Sequence, residues 1–208
     1  VAIHFVPMTN PDGVSLSQFG IDAIRSDALK QVIRDCYSRD VNLKRTADSF
    51  ETYLTKWKAN AGGVDLNYNF PYGWDELATK LTEPSSASYK GPAPFSEPES
   101  QALAKLADQY PWAITVSYHS QGQVIYWTTS SNGAEMASNT LAEAVSVMTG
   151  YRMDSSDGKG GFKDWMQSRS GAVPGVTLEV GKTPCPVPFS EYPVVWQQNK
   201  GVWIQAQV

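Results

Sequence analysis

The chain has 208 residues, of which 41% are hydrophobic and 12% aromatic, and a net charge of −4. That supports one sizeable core and a single domain over 1–208. Lys and Arg are neither abundant nor clustered enough for a nucleic-acid footprint. No apolar run reaches membrane-spanning length, and two cysteines permit one disulfide at most.

The opening VAIHFVPM is too short and uncharged for a signal peptide and reads as a strand over 1–8. The chain is therefore expected to begin inside folded structure. Asn10-Pro11-Asp12-Gly13 is composed as a turn. Ile21, Ile24, Ala28, Val32 and Cys36 recur at helical spacing and predict an amphipathic helix over 21–38. Residues 42–60 suggest a second, more polar helix ending near Ala61-Gly62-Gly63. Residues 64–74, VDLNYNFPYGW, are dense in Asn, Pro and Gly and mark an ordered loop. Ser96-Glu97-Pro98-Glu99 is a capping box with Pro in the first turn, and it launches a helix to about Gln109.

An apolar strand is expected over 113–118, followed by a second apolar run over 123–127. A helix over 134–149 should stop at Gly150, and 151–161 reads as a Gly- and Asp-rich loop. A short helix over 162–169, a strand over 176–180 and a final helix over 189–208 complete the chain. Strands alternating with helices predict an α/β fold: a mixed, largely parallel twisted sheet flanked by helices.

Two polar residues stand at the ends of apolar strands, where α/β sheets open into ligand crevices. Glu179 lies between Leu178 and Val180, so its carboxylate must face a polar cavity or a partner. General acid–base work and a buried ion pair both fit the residues alone. His119 could be a metal ligand, a base or a core histidine. The other histidine is His4, and neither HExxH nor HxxE is present, so zinc does not follow from spacing. Ser117 and Ser120 lack the G-x-S-x-G elbow of a serine nucleophile. Asn67 and Asn69 could aim side chains at a ligand or bond within their own loop. Lys58 could donate to an oxyanion or be a solvated charge. Tyr151 follows a helix-ending glycine and so belongs to a loop that could move over a site. The seven tryptophans are scattered, which favours packing over a sugar platform.

In order along the chain, FVPMTNPDG (5–13), KWKANAGGVDLNYNFP (56–71), YKGPAPFSEPES (89–100), SYHSQGQVIYW (117–127), GGFKDW (160–165) and PGVTLEVG (174–181) resemble the zinc carboxypeptidase family. They are nearest its bacterial branch of γ-D-glutamyl-diaminopimelate peptidases. The resemblance implies an N-terminally truncated version of that fold, roughly the last two-thirds of a catalytic domain. It also implies zinc as cofactor and a peptide or muropeptide as substrate. By the same resemblance His119 is the zinc histidine contributed apart from the HxxE pair, and Glu179 is the catalytic glutamate. Asn67 helps hold a substrate carboxylate, Tyr151 is a mobile tyrosine over the pocket, and Lys163 is a cation at its base.

The departures are also specific. The HxxE pair belongs upstream of the opening strand. Tyr68 stands in DLNYNF where the family has an arginine, and a neutral phenol cannot fork onto a carboxylate. The oxyanion-polarising arginine corresponds to Lys58. The implied function is peptidoglycan-peptide hydrolysis, extracellular or at the cell envelope. The alternative is an inactive relative that at most binds peptide. Loss of leading strands would expose a sheet edge, so a covering segment or self-association is expected.

Overall fold

The computed structural model describes residues 2–128, 133–155 and 158–205. Contacts group the chain into two compact units, 2–106 and 107 onward.

The first unit is helical. Residues 2–10 carry no strand, and Phe5 is 60% exposed. This corrects the strand expected over 1–8: a strand exists only through a ladder with a neighbour, and no described residue of 2–106 is in one. The expected turn at Asn10 is instead a helix start. Asn10 Oδ1 accepts the Gly13 N–H at 2.9 Å, Pro11 begins α1 (Pro11–Phe19), and Asn10 Nδ2 donates to the Ala59 carbonyl at 2.9 Å. Asn followed by Pro serves a turn and a helix cap equally well, because Asn satisfies the exposed N–H and Pro lacks one.

The helix expected from Ile21 begins later. Ile21–Ala23 is a 3-10 turn, and α2 (Asp27–Asn42) starts where Ser26 caps the Leu29 N–H. The polar helix expected over 42–60 shortens to α3 (Phe50–Thr55), capped by Ser49. The core gathers Leu16, Ile33, Cys36, Leu54 and Trp57 with Ala59 and Ala61. The expected loop over 64–74 is irregular apart from two 3-10 turns. Asn69 is fully buried: its amide donates to Lys90 O, Ala93 O and Ser96 Oγ, and its carbonyl accepts from Ser100 Oγ. The Asn69 side chain thus neither faces a ligand space nor bonds within its own loop, but ties that loop to residues 90–100. The capping-box helix is α4 (Pro98–Ala107).

The second unit is a mixed four-stranded sheet with helices. Its strands are β1 (Thr115–Ser120), β2 (Val124–Tyr126), β3 (Arg152–Asp154) and β4 (Gly175–Val180), in the order β1-β4-β2-β3. β1–β4 and β2–β3 are parallel, and β2–β4 is antiparallel. One face is apolar. Val176 and Leu178 of β4 and Ile125 of β2 are fully buried against Ala142, Val145 and Val202. Ala142 and Val145 belong to α5 (Glu135–Thr149), which ends at Gly150 with φ 73°, as its sequence foretold. Val202 belongs to α8 (Val202–Gln205).

α6 (Phe162–Ser168) packs on β1 and β4. The last expected helix is divided into a 3-10 turn at Phe189–Glu191, α7 (Tyr192–Asn199) and α8, with Gly201 in the break. Pro193 lies in the first turn of α7, where its missing N–H costs no helix bond. Both cysteines are free, Cys36 buried and Cys185 exposed.

Candidate active site

Side chains alternate across a strand, so the register of the second unit decides which residues meet. His119 of β1 and Glu179 of β4 are register partners. Partners on adjacent strands project from the same face, about 4.8 Å apart in the hydrogen-bonding direction. The imidazole and the carboxylate are therefore neighbours at the carboxyl ends of two parallel strands, and both are half-buried. Ser117 and Thr177 form the next row toward the strand starts on that face. Ser120, one residue on, points to the opposite face, and its Oγ lies 3.5 Å from Cys185 Sγ. A carboxylate next to an imidazole, open to one side of a sheet, can take a proton from a bound water and hand it on.

Tyr151 belongs elsewhere, which corrects its expected place as a mobile ring over the pocket. It is 1% exposed and packs in the cluster with Ile125, Val176 and Leu178, on the face turned away from His119 and Glu179. Its hydroxyl accepts from Asn199 Nδ2 at 3.0 Å and donates to Gln198 Oε1 at 3.2 Å. Burial raises its pKa, against the opposing bond from Asn199. The phase of β3 is the cause: Tyr151 and Met153 turn inward, and Arg152 and Asp154 turn to the site face.

Lys163 is also not the free cation that the resemblance implied. It is 4% exposed, and its ammonium donates to Thr128 O at 2.8 Å and Gln167 Oε1 at 3.2 Å. It pairs with Asp164 Oδ1 at 2.5 Å. Its charge is matched inside the protein, and a Cβ added at Gly175 would meet its Cγ at 3.3 Å. Gln167 ties the same region together, donating to Ser138 Oγ and the Trp127 carbonyl.

The other expected residues lie in the first unit. Lys58 is exposed, and its backbone N–H donates to Ser86 O. Asn67 is exposed and Tyr68 half-buried, on the 3-10 turn Leu66–Tyr68. Buried Asp65 holds that turn, accepting the N–H groups of Asn67 at 3.2 Å and Ser88 at 2.9 Å. Asn67 thus has a rigid base and a solvent-facing side chain.

Sequence reasoning missed Arg152 and Asp154, which it assigned to a loop. A signal was present: Tyr151-Arg152-Met153-Asp154 alternates apolar and charged, the period of a half-buried strand.

His119 with Glu179 offers one imidazole and one carboxylate, whereas a catalytic zinc takes about three protein ligands. Among the described residues no group of three His, Cys, Asp or Glu is placed to hold a metal ion. The described residues by themselves do not complete a zinc site.

Comparison with known proteins agrees with the arrangement of the sheet. The family model described as zinc carboxypeptidase matches residues 1–201. The γ-D-glutamyl-L-diamino acid endopeptidase 1 of Lysinibacillus sphaericus is 34% identical over 204 residues, covering 97% of this chain and 48% of that protein. Murein peptide amidase A of Escherichia coli K12 is 44% identical over 69 residues, 30% of this chain and 28% of that one. Among solved structures, carboxypeptidase A from Helicoverpa armigera shares the fold, with a TM-score of 0.61 at 17% identity, covering 96% of this chain and 50% of that one. The murein-tripeptide amidase MpaA of E. coli O157 gives a TM-score of 0.51 at 25% identity, over 72% of this chain and 60% of that one. The chain spans about half the length of the curated relatives it matches over nearly its whole extent.

Proposed function

Because this chain belongs to the zinc carboxypeptidase family, we propose that it carries the base-bearing part of a peptidase for peptidoglycan stem peptides, cleaving the γ-D-glutamyl–diaminopimelate bond. The observation that carries this reading is the pairing of His119 with Glu179 on one face of the sheet. In it, Glu179 accepts a proton from the attacking water and delivers it to the leaving amine. His119 stands beside that carboxylate and presents an imidazole to the same space. A peptidoglycan substrate would put the activity at the cell envelope or outside the cell.

The family is a zinc family, and any metal held at His119 needs donors beyond those described here. That favours a second reading, peptide binding without cleavage. One experiment separates the two. A form of the protein that also carries the remaining zinc donors is incubated with L-Ala-γ-D-Glu-meso-diaminopimelate, with and without added zinc, and products are followed by mass spectrometry. Release of L-Ala-γ-D-Glu is the expected result. An intact peptide that nonetheless binds would leave only the second reading.

A further inference from the structure

The register places four residues in one row across the sheet of the second unit: His119, Glu179, Val124 and Arg152. Asp154 stands in the adjacent row on the same face, level with Tyr126 and Thr177. Arg152 is two strand spacings from Glu179, roughly 10 Å. Val124, 3% exposed, is the apolar residue between them. Arg152 Nη1 and Asp154 Oδ2 are 2.9 Å apart, with the two side chains 63% and 24% exposed. The face thus carries a base and, two strands away, a cation and an anion side by side, with buried Val124 at the position between them.

An exposed ion pair of this kind contributes little to stability. Its placement matters more. A cation and an anion held together on one face complement a ligand that carries an anion and a cation on neighbouring atoms. Diaminopimelate is such a ligand, since the far end of its side chain is an amino-acid zwitterion, ammonium and carboxylate on one carbon. Lysine is the same side chain with that carboxylate replaced by hydrogen.

Resting on the peptidoglycan-peptide reading, we propose that Arg152 and Asp154 are the specificity-determining pair of this site. The Arg152 guanidinium receives the distal carboxylate of the diamino acid, and Asp154 receives its ammonium. The guanidinium presents a planar fork, so it can keep Asp154 on one edge and take a second carboxylate on another. Lys163, its charge already matched by Asp164, is left out of this recognition.

The test is titration calorimetry of the 208-residue chain against two tripeptides, L-Ala-γ-D-Glu-meso-diaminopimelate and L-Ala-γ-D-Glu-L-lysine. The diaminopimelate peptide is expected to bind about tenfold tighter or more, the size of one charge-assisted contact. Arg152→Met should erase that preference by weakening only the diaminopimelate peptide. Arg152→Lys, a charge without the fork, should keep part of it. Asp154→Asn should weaken both peptides, since both carry the ammonium. Circular dichroism confirms that each variant is folded. A preference that survives in Arg152→Met, or a wild-type chain that binds both peptides equally, overturns the assignment and leaves the peptide reading standing. A wild-type chain that binds neither overturns both.

Discussion

Replacing Lys163 by Met separates a structural cation from a substrate-reading one. Methionine keeps most of the aliphatic stem, so the cavity term is small, and what is lost is the ammonium. That removes the donor 2.8 Å from Thr128 O and the partner 2.5 Å from Asp164 Oδ1. Asp164 is 5% exposed, so water cannot easily replace the missing charge. Nor is there slack nearby, because a Cβ at Gly158 would meet Asp164 Oδ1 at 2.5 Å. Removing one partner of a buried pair costs about 3–5 kcal/mol. With a urea slope of about 2 kcal/mol/M, the midpoint should fall by ~2 M. The double variant Lys163→Met with Asp164→Asn removes both charges and should recover much of the loss. Urea unfolding by circular dichroism, with amide exchange at β4 reporting on the second unit, measures this. A single variant within about 1 kcal/mol of wild type that loses affinity for the diaminopimelate peptide would refute the argument and return Lys163 to the pocket.

Glu179→Gln keeps the shape but cannot accept a proton. Wherever cleavage is observed, its rate should fall by about 10²–10⁴-fold with peptide affinity little changed, as read by product release and calorimetry. Burial pushes the Cys36 thiol from its ordinary 9.0 up to about 11, partly opposed by Arg39. A thiol reagent at pH 8 should label exposed Cys185 at once and Cys36 only on unfolding, as counted by mass spectrometry. The same shift has a consequence for stability. Because the folded-state pKa is the higher, the contribution is complete below pH 9.0 and is lost as pH rises through about 11. Urea midpoints between pH 8 and 11 should therefore decline, and in Cys36→Ala the decline should be smaller.

What the sequence by itself determined was whatever a short window encodes. The apolar runs around His119 and Glu179 required strands, and both formed within two residues of their expected bounds, although β1 is half-buried to exposed where a buried strand was expected. The period of 135–149 and the glycine after it defined α5 and its end, because 3.6-residue periodicity and a left-handed cap are local properties. The ordered motifs carried the family, since they preserve chemistry position by position.

Tertiary structure decided what depends on partners distant in the chain. Residues 2–8 have strand composition but are in no ladder among the described residues, and Asn10-Pro11 became a cap because Ala59 offered a carbonyl to its amide. Tyr151 and Arg152 are adjacent in sequence and opposite in fate, one in the core and one on the site face; their alternation hinted at the phase, and the pairing of β2 with β3 set Arg152 in the row of Glu179. Lys163 was expected to hold a substrate's charge and holds Asp164's instead. His119 and Glu179 became neighbours through the register of β1 with β4, a hydrogen-bonded alignment that no local pattern encodes.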